Sequence, residues 1–215
     1  MSAQFNFTEF IQYIKSTFPE ANLAHNPIRF SNVYLRFELG ANYGNGTKKR
    51  IEQATKRAVQ IFEKIFTKDD QLILVIKRWI NPDADIISTD TKEYLFSLIM
   101  NIDPSSTYSE IIPADEYSED PCEQTLAEVN AKDLDYYNII KGIIHHEQGK
   151  YPRIYETIYF INKASNIIYY LYDDRGCLIY SDGPDRLKEL YNELKGWIVD
   201  HAPEKEYFDS LFGSK

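Results

Sequence analysis

Two adjacent carboxylates, Asp173 and Asp174, are the residues of this chain best suited to acid–base chemistry or to binding a divalent cation. Carboxylate oxygens are the ligands that Mg²⁺ takes in proteins. The two aspartates are followed by Arg175 and Gly176, however, and this composition is also typical of a tight β-turn. In such a turn the aspartate side chain accepts hydrogen bonds from backbone N–H groups and the glycine can adopt a positive φ. The sequence leaves both interpretations open and favours the turn.

A second candidate is the glycine-containing segment 40–46, which is followed by Lys48, Lys49 and Arg50. Its spacing differs from that of a P-loop, because it has one residue too many between the glycines and Thr47 precedes the lysine instead of following it. Three cations at the start of a helix would meet the positive end of the helix dipole and would need a compensating anion. Either an anionic ligand or an acidic segment of the same protein could supply that charge.

The histidines and cysteines form no recognisable metal or nucleophile motif. His145 and His146 are adjacent and would point about 100° apart on a helix, and an HExxH motif would need histidine where Lys150 stands. Cys122 and Cys177 are far apart, so the sequence predicts neither a disulfide framework nor a thiolate metal site. No cofactor is predicted.

The elements that must position these residues belong to an α+β fold, with an antiparallel sheet flanked by long amphipathic helices. The sheet includes a C-terminal three-strand meander, which is predicted from strands separated by four-residue turns, at 154–162, 167–172 and 177–180. Further strands are predicted at 33–39, from alternation, and at 72–80, from a continuous apolar run. Apolar residues at helical spacing predict helices at 7–18, 47–66, 133–146, 184–198 and 204–212. Residues 92–102 are ambiguous between helix and strand.

The length of 215 residues fits one domain spanning 1–215. The first ten residues lack the basic and apolar regions of a secretory signal. The longest strongly apolar run, Leu72–Ile76, is far shorter than the roughly 20 residues that span a bilayer. We therefore expect a soluble, cytoplasmic protein that does not bind membranes. Its 17 tyrosines and 12 phenylalanines suit half-buried sheet surfaces and binding faces alike.

The net charge of −9 is concentrated in residues 93–131, which contain nine acidic residues and no lysine or arginine. Weak periodicity and several prolines predict that this acidic segment is loop-rich. Its charge disfavours nucleic-acid binding, which depends on basic surfaces, and suits a basic protein partner. A solvated acidic region without a partner is the alternative. The predicted partner-binding residues are Glu110, Asp115, Glu116, Glu119, Asp120 and Glu123.

Three stretches of the sequence form recognisable signatures: YLRFELG at 34–40, YFIN at 159–162 and YYLYDDRGC at 169–177. They resemble signatures of an uncharacterised bacterial family that is common in bacilli, domain of unknown function 3885, and YDDRG is the most specific of them. The resemblance covers nearly the whole chain, but Leu178-Ile179 stand where the family often has Asp-Val. That departure puts in doubt any role for an acid at that point. The resemblance carries no activity and implies only architecture, bacterial origin and a candidate cluster formed by Arg36, Glu38, Tyr172, Asp173, Asp174 and Arg175.

Three functions are compatible with these features. The favoured one is a non-enzymatic, protein-interaction role, such as an immunity protein that neutralises a basic toxin. The second is a metal-dependent enzyme acting on a phosphate-bearing substrate, with Asp173 and Asp174 binding Mg²⁺ and the cations at 48–50 holding the phosphate. It requires the 44–46 loop and the 173–176 turn to meet in one cleft. The third is a small-ligand binding module with an enclosed pocket lined by tyrosine and phenylalanine.

Overall fold

The computed structural model describes residues 5–80, 85–102, 106–114 and 120–212. The described strands form one seven-stranded sheet in which every neighbouring pair is antiparallel, in the order β1-β7-β6-β5-β2-β4-β3. The predicted α+β class is therefore confirmed. The strands are β1 Tyr34–Glu38, β2 Gln71–Trp79, β3 Thr107–Ile112, β4 Cys122–Asn130, β5 Thr157–Asn162, β6 Ile167–Asp173 and β7 Gly176–Ser181.

Helices cover both faces of the sheet. They are α1 Phe7–Thr17, α2 Lys48–Ile65, α3 Asp85–Ser97, α4 Tyr136–Glu147, α5 Lys188–Leu194 and α6 Ala202–Phe212. Three of them begin where the sequence provides a polar cap: Asn6, Thr47 and Asp135 each accept a hydrogen bond from a backbone N–H three residues further on. Among the described residues, no helix has both the length and the apolar character needed to cross a membrane.

Strand β2 contributes side chains to two separate hydrophobic cores, one on each face of the sheet. Leu72, Leu74 and Ile76 point into the larger core beneath α2 and α4. Ile73 and Val75 point into the smaller core beneath α1. A strand buried on both faces reads as a continuous apolar run, as predicted for this segment. The meander β5–β6–β7 is also confirmed, with direct pairing of consecutive strands.

The prediction that the acidic segment is loop-rich is wrong where the segment is described. It contributes β3 and β4, which pair with each other along six residues, and β4 also pairs with β2 along its full length. We call β3 and β4 the edge hairpin. The sequence of the edge hairpin lacks the alternation of apolar and polar residues typical of a strand, because the polar residues Gln124 and Thr125 are buried in the middle of β4. Residues 103–105 and 115–119 of the acidic segment lie outside the described residues.

The prediction of a single helix at 184–198 also needs correction. The segment is a 3₁₀ turn at Pro184–Leu187, the short helix α5 and a second 3₁₀ turn at Lys195–Trp197. The ambiguous region 92–102 begins as the last turns of α3, which ends at Ser97.

Candidate functional site

The YDDRG stretch forms the β6–β7 turn, and its first aspartate shapes that turn. Asp173 accepts a hydrogen bond of 2.7 Å from the backbone N–H of Arg175 and another of 2.8 Å from the Nε of the same arginine. A carboxylate that bonds to the backbone two residues on is the ordinary chemistry of an aspartate turn. Asp173 is therefore held by its own turn.

The second aspartate is buried and faces helix α2. The side chain of Asp174 is 1% exposed and forms an ion pair with Arg50, which is 12% exposed. Arg50 also donates hydrogen bonds of 2.9 Å to the carbonyl oxygens of Gly40 and Tyr43. One guanidinium thus ties the start of α2 to the β1–α2 connection and to the β6–β7 turn. Asp174 thus supplies negative charge to the cationic start of α2. An acid of the same protein was one of the two alternatives that the sequence left open.

Two further side chains of α2 donate hydrogen bonds to the backbone at the end of β1 and in the β1–α2 connection. These contacts were not predicted from the sequence. The Nε2 atom of Gln53 donates to the carbonyl oxygens of Leu39 at 2.9 Å and Ala41 at 2.8 Å. Arg57 donates to the carbonyl oxygen of Glu38 at 2.9 Å. Burial lowers the pKa of Arg57 from its ordinary value. The spacing of 50, 53 and 57 places these residues on one side of a helix, so the pattern was visible in the sequence although its target was not.

Arg36 and Glu38 do not pair with each other. Instead Arg36 donates from Nη1 to both carboxylate oxygens of Glu204 on α6, at 3.1 and 3.3 Å, and from Nε to the hydroxyl of Tyr172 at 3.2 Å. Burial raises the pKa of the Tyr172 hydroxyl, and the hydrogen bond from Arg36 limits that rise. Within the six candidate residues, Arg36 therefore contacts Tyr172 and Asp173 contacts Arg175, whereas Asp174 pairs with Arg50 and Glu38 offers its carbonyl oxygen to Arg57.

Gly176 allows the Tyr172 side chain and the backbone of Phe37 to lie close to the β7 backbone. A methyl group at this position would clash with the Tyr172 hydroxyl and would lie 2.5 Å from the carbonyl oxygen of Phe37. We expect Gly176→Ala to lower the free energy of unfolding by roughly 1–3 kcal/mol through overpacking, as measured by urea denaturation. Gly196→Ala is the matched control, because a methyl group there meets no atom of the described structure within 4 Å. Equal stability of both variants would contradict the close approach.

The arrangement is poorly suited to metal chemistry. Arg50 connects the β6–β7 turn to the carbonyl oxygens of Gly40 and Tyr43, but both aspartates are engaged by arginines. Within the described residues, no group of three histidine, cysteine or acidic side chains is placed to hold a metal ion. A cation would have to displace Arg50 or Arg175 from its carboxylate.

The acidic residues of the edge hairpin have different surroundings. Glu123 forms ion pairs with Arg78 at 2.9 Å and Lys92 at 2.8 Å. Burial alone would raise the pKa of Glu123, but hydrogen bonds from Lys92 and Arg78 hold it below its ordinary value. Glu110 accepts a hydrogen bond of 3.1 Å from Gln124, its cross-strand neighbour. Asp120 is partly buried, and the remaining predicted partner-binding residues, Asp115, Glu116 and Glu119, lie outside the described residues.

Strand β3 is the outermost strand on its side of the sheet. Its Ile111 side chain is among the large apolar residues left exposed, at 58%. The opposite edge differs, because the backbone of Val199 donates to Arg36 of β1 at 3.1 Å and Phe37 bridges to Ile198. Among the described residues, the β1 edge is therefore covered, whereas the backbone of Tyr108–Ile112 on the β3 edge pairs with β4 alone.

Comparison with known proteins identifies a family for the chain but no activity. A family model described as domain of unknown function DUF3885 matches residues 10–202. A similar protein is the uncharacterized protein YnaE of Bacillus subtilis strain 168, which is 24% identical over 210 residues, covering 89% of this chain and 97% of that protein. No solved structure matches the chain.

Proposed function

Since the chain belongs to the DUF3885 family, whose description names no reaction, we propose from its geometry that it binds a basic protein through the edge hairpin. The role that fits is that of an immunity protein neutralising a basic toxin, without chemistry of its own. The observation that carries the proposal is the accessible outer edge of β3 in the most acidic part of the chain.

An uncovered edge strand is a template for another strand. Alternate residues of an edge strand direct their N–H and C=O groups away from the sheet, where they can pair with an extended segment of a partner. In the described structure, the backbone of Tyr108–Ile112 pairs only with β4. A partner that adds a strand gains backbone hydrogen bonds as affinity and side-chain contacts as specificity. Ile111 is available for such a contact.

Charge selects the kind of partner. Residues 93–131 carry nine acids and no base, and together they equal the net charge of the whole chain. A basic partner would be attracted over a distance of about 10 Å at moderate salt and would associate faster than a neutral one. Toxins that degrade nucleic acids are basic because their substrate is a polyanion. The engaged state of Asp173 and Asp174 further supports a binding role over a catalytic one.

The test is direct binding to the purified product of the neighbouring gene, measured by biolayer interferometry with Ile111→Lys. Lysine on an edge strand opposes strand addition, and here it also repels a basic partner. We expect affinity to fall about 10-fold or more, equivalent to about 1.4 kcal/mol. We also expect the association rate of the unmodified protein to fall as salt rises.

Tyr137→Lys is the matched control, because Tyr137 is 50% exposed and the substitution adds the same charge. It lies on α4, which packs on β6. Three strands separate β6 from β3, a distance of roughly 19 Å at about 4.8 Å per strand. Equal loss of binding in both variants would mean that charge alone matters, and undiminished binding by Ile111→Lys would exclude the β3 edge as the contact.

A further inference from the structure

A cleft of about 260 Å³ opens between α6 and the α1-side face of the sheet, away from the edge hairpin. Its floor is built by strand pairing: Arg36 of β1 lies opposite Leu178 of β7, and Tyr34 lies opposite Tyr180. Tyr172 of β6 contributes its hydroxyl, which contacts Arg36. The volume equals that of roughly nine water molecules, which is enough for a single-ring organic molecule.

The cleft carries two guanidinium groups and one carboxylate. Arg36 is paired with Glu204, whereas Arg29 donates to the amide oxygen of Asn32 at 2.6 Å. Within the described residues, Arg29 forms no ion pair with an acid. Burial raises the pKa of Tyr34 and of Tyr180, and in both cases the nearby Arg29 cation acts against that rise. The cleft therefore has a surplus of one positive charge.

Aromatic rings contribute to the floor of the cleft. The rings of Tyr34 and Tyr180 have centroids 6.1 Å apart, and Leu178 supplies an apolar surface on the floor. Phenol rings present flat faces to a ligand and hydroxyl groups at their ends. Such a lining favours a planar, apolar body over a strongly hydrated one.

Glu204 indicates which anion the cleft accepts. Its two carboxylate oxygens lie 3.1 and 3.3 Å from the Nη1 atom of Arg36. Guanidinium groups bind carboxylates with high geometric preference. The position next to Arg36 is thus already occupied by a carboxylate, which belongs to the last described helix of the chain.

We propose that this cleft binds a small aromatic carboxylate, held by Arg36 and Arg29 and packed against the tyrosine rings and Leu178, and that Glu204 occupies the same anion position when the ligand is absent. Binding then requires the ligand carboxylate to displace Glu204 from Arg36. Because α6 is also fixed by the stacked rings of Tyr34 and Tyr207, with centroids 5.5 Å apart, displacement would loosen this contact as well.

The test is titration of the purified protein with sodium benzoate, followed by NMR or calorimetry, with sodium acetate as the non-aromatic comparison. We expect saturable benzoate binding with Kd of about 1 mM, and acetate binding at least 10-fold weaker. Glu204→Gln removes the internal competitor and should tighten benzoate binding by about fivefold or more. Arg36→Gln and Arg29→Gln should weaken it about 10-fold.

The gain expected for Glu204→Gln separates the proposal from damage to the fold, since a misfolded variant would not bind more tightly. Arg186→Gln is the matched control for the arginine variants, because Arg186 is similarly exposed and also paired with an acid, Asp182. No saturable binding of benzoate at about 20 mM would overturn the proposal. Tighter binding of acetate than of benzoate, or weaker binding by Glu204→Gln, would overturn it too.

Discussion

Asp174→Ala is expected to lower the free energy of unfolding by about 3–5 kcal/mol, because it removes one partner of a buried ion pair. Arg50 would keep its charge in a nearly closed site, with only the carbonyl oxygens of Gly40 and Tyr43 as partners. Those carbonyls satisfy its hydrogen bonds but do not neutralise it. Urea denaturation measures the change as a shift of the midpoint, provided that the slope with denaturant stays constant.

The control is an exposed ion pair between two other elements of the fold. Lys64 of α2 pairs with Glu193 of α5, and both side chains are more than 40% exposed. Solvent screens such a pair, so Glu193→Ala should change stability by about 1 kcal/mol at most. A loss of similar size in both variants would contradict the structural role of Asp174.

A double-mutant cycle completes this test. If Arg50 and Asp174 stabilise each other, then Arg50→Ala combined with Asp174→Ala should cost less than the two single losses added together. The expected coupling energy is of the order of 2 kcal/mol. Strict additivity would mean that the two charges act independently, and Asp174 would then again be a candidate for a chemical role.

The sequence predicted the turn at Asp173–Gly176 but not what Asp174 contacts. A turn is local, because aspartate, arginine and glycine in succession form it with their own backbone. The ion pair joins residues that are 124 positions apart in the chain. The cationic start of α2 indicated that an anion was needed, yet several acids could have met that need. Only the antiparallel pairing of β1 with β7 brings this particular turn to the helix.

The edge hairpin was missed for a related reason. Sequence patterns assume that polar residues face solvent, but Gln124 is 1% exposed and donates to Glu110 on the neighbouring strand. Glu123 is half-buried for the same reason, since Arg78 and Lys92 neutralise it. A strand whose polar residues are paired across the sheet loses its alternating pattern. Hydrophobic periodicity therefore predicted the strands of the apolar core. It did not predict the edge hairpin, where buried polar side chains pair with one another and take the place of apolar residues.

Strand β2 contains the opposite case, a charged residue inside a strand that was predicted correctly. Lys77 is 1% exposed, and its Nζ atom donates to the backbone carbonyl oxygen of His25 at 2.6 Å. Burial lowers the pKa of Lys77 from 10.5 to about 8, with Cys122 and Glu110 acting weakly in the opposite direction. The folded protein therefore holds this proton less tightly than the unfolded chain does.

The sign of the pH dependence follows from that difference. Below about pH 8 the lysine is charged in both states, and the folded state bears the full cost of burying the charge. Between about pH 8 and 10.5 the unfolded chain binds the proton and the folded protein does not, so stability should rise with pH. A shift of this size corresponds to about 3 kcal/mol.

Lys77→Met should abolish this rise while keeping the length of the side chain. At pH 7 the methionine variant should be more stable than the unmodified protein by roughly 1–2 kcal/mol, because the lost hydrogen bond from Lys77 to the carbonyl oxygen of His25 offsets part of the gain. Buried tyrosines contribute equally to the pH dependence of both proteins, so the decisive quantity is the difference between their unfolding free energies from pH 7 to pH 10. Lys48→Met, at a side chain that is 89% exposed, controls for the loss of one positive charge. A difference in unfolding free energy that stays constant from pH 7 to pH 10 would contradict the prediction. It would mean that the amine of Lys77 is not desolvated in the folded protein.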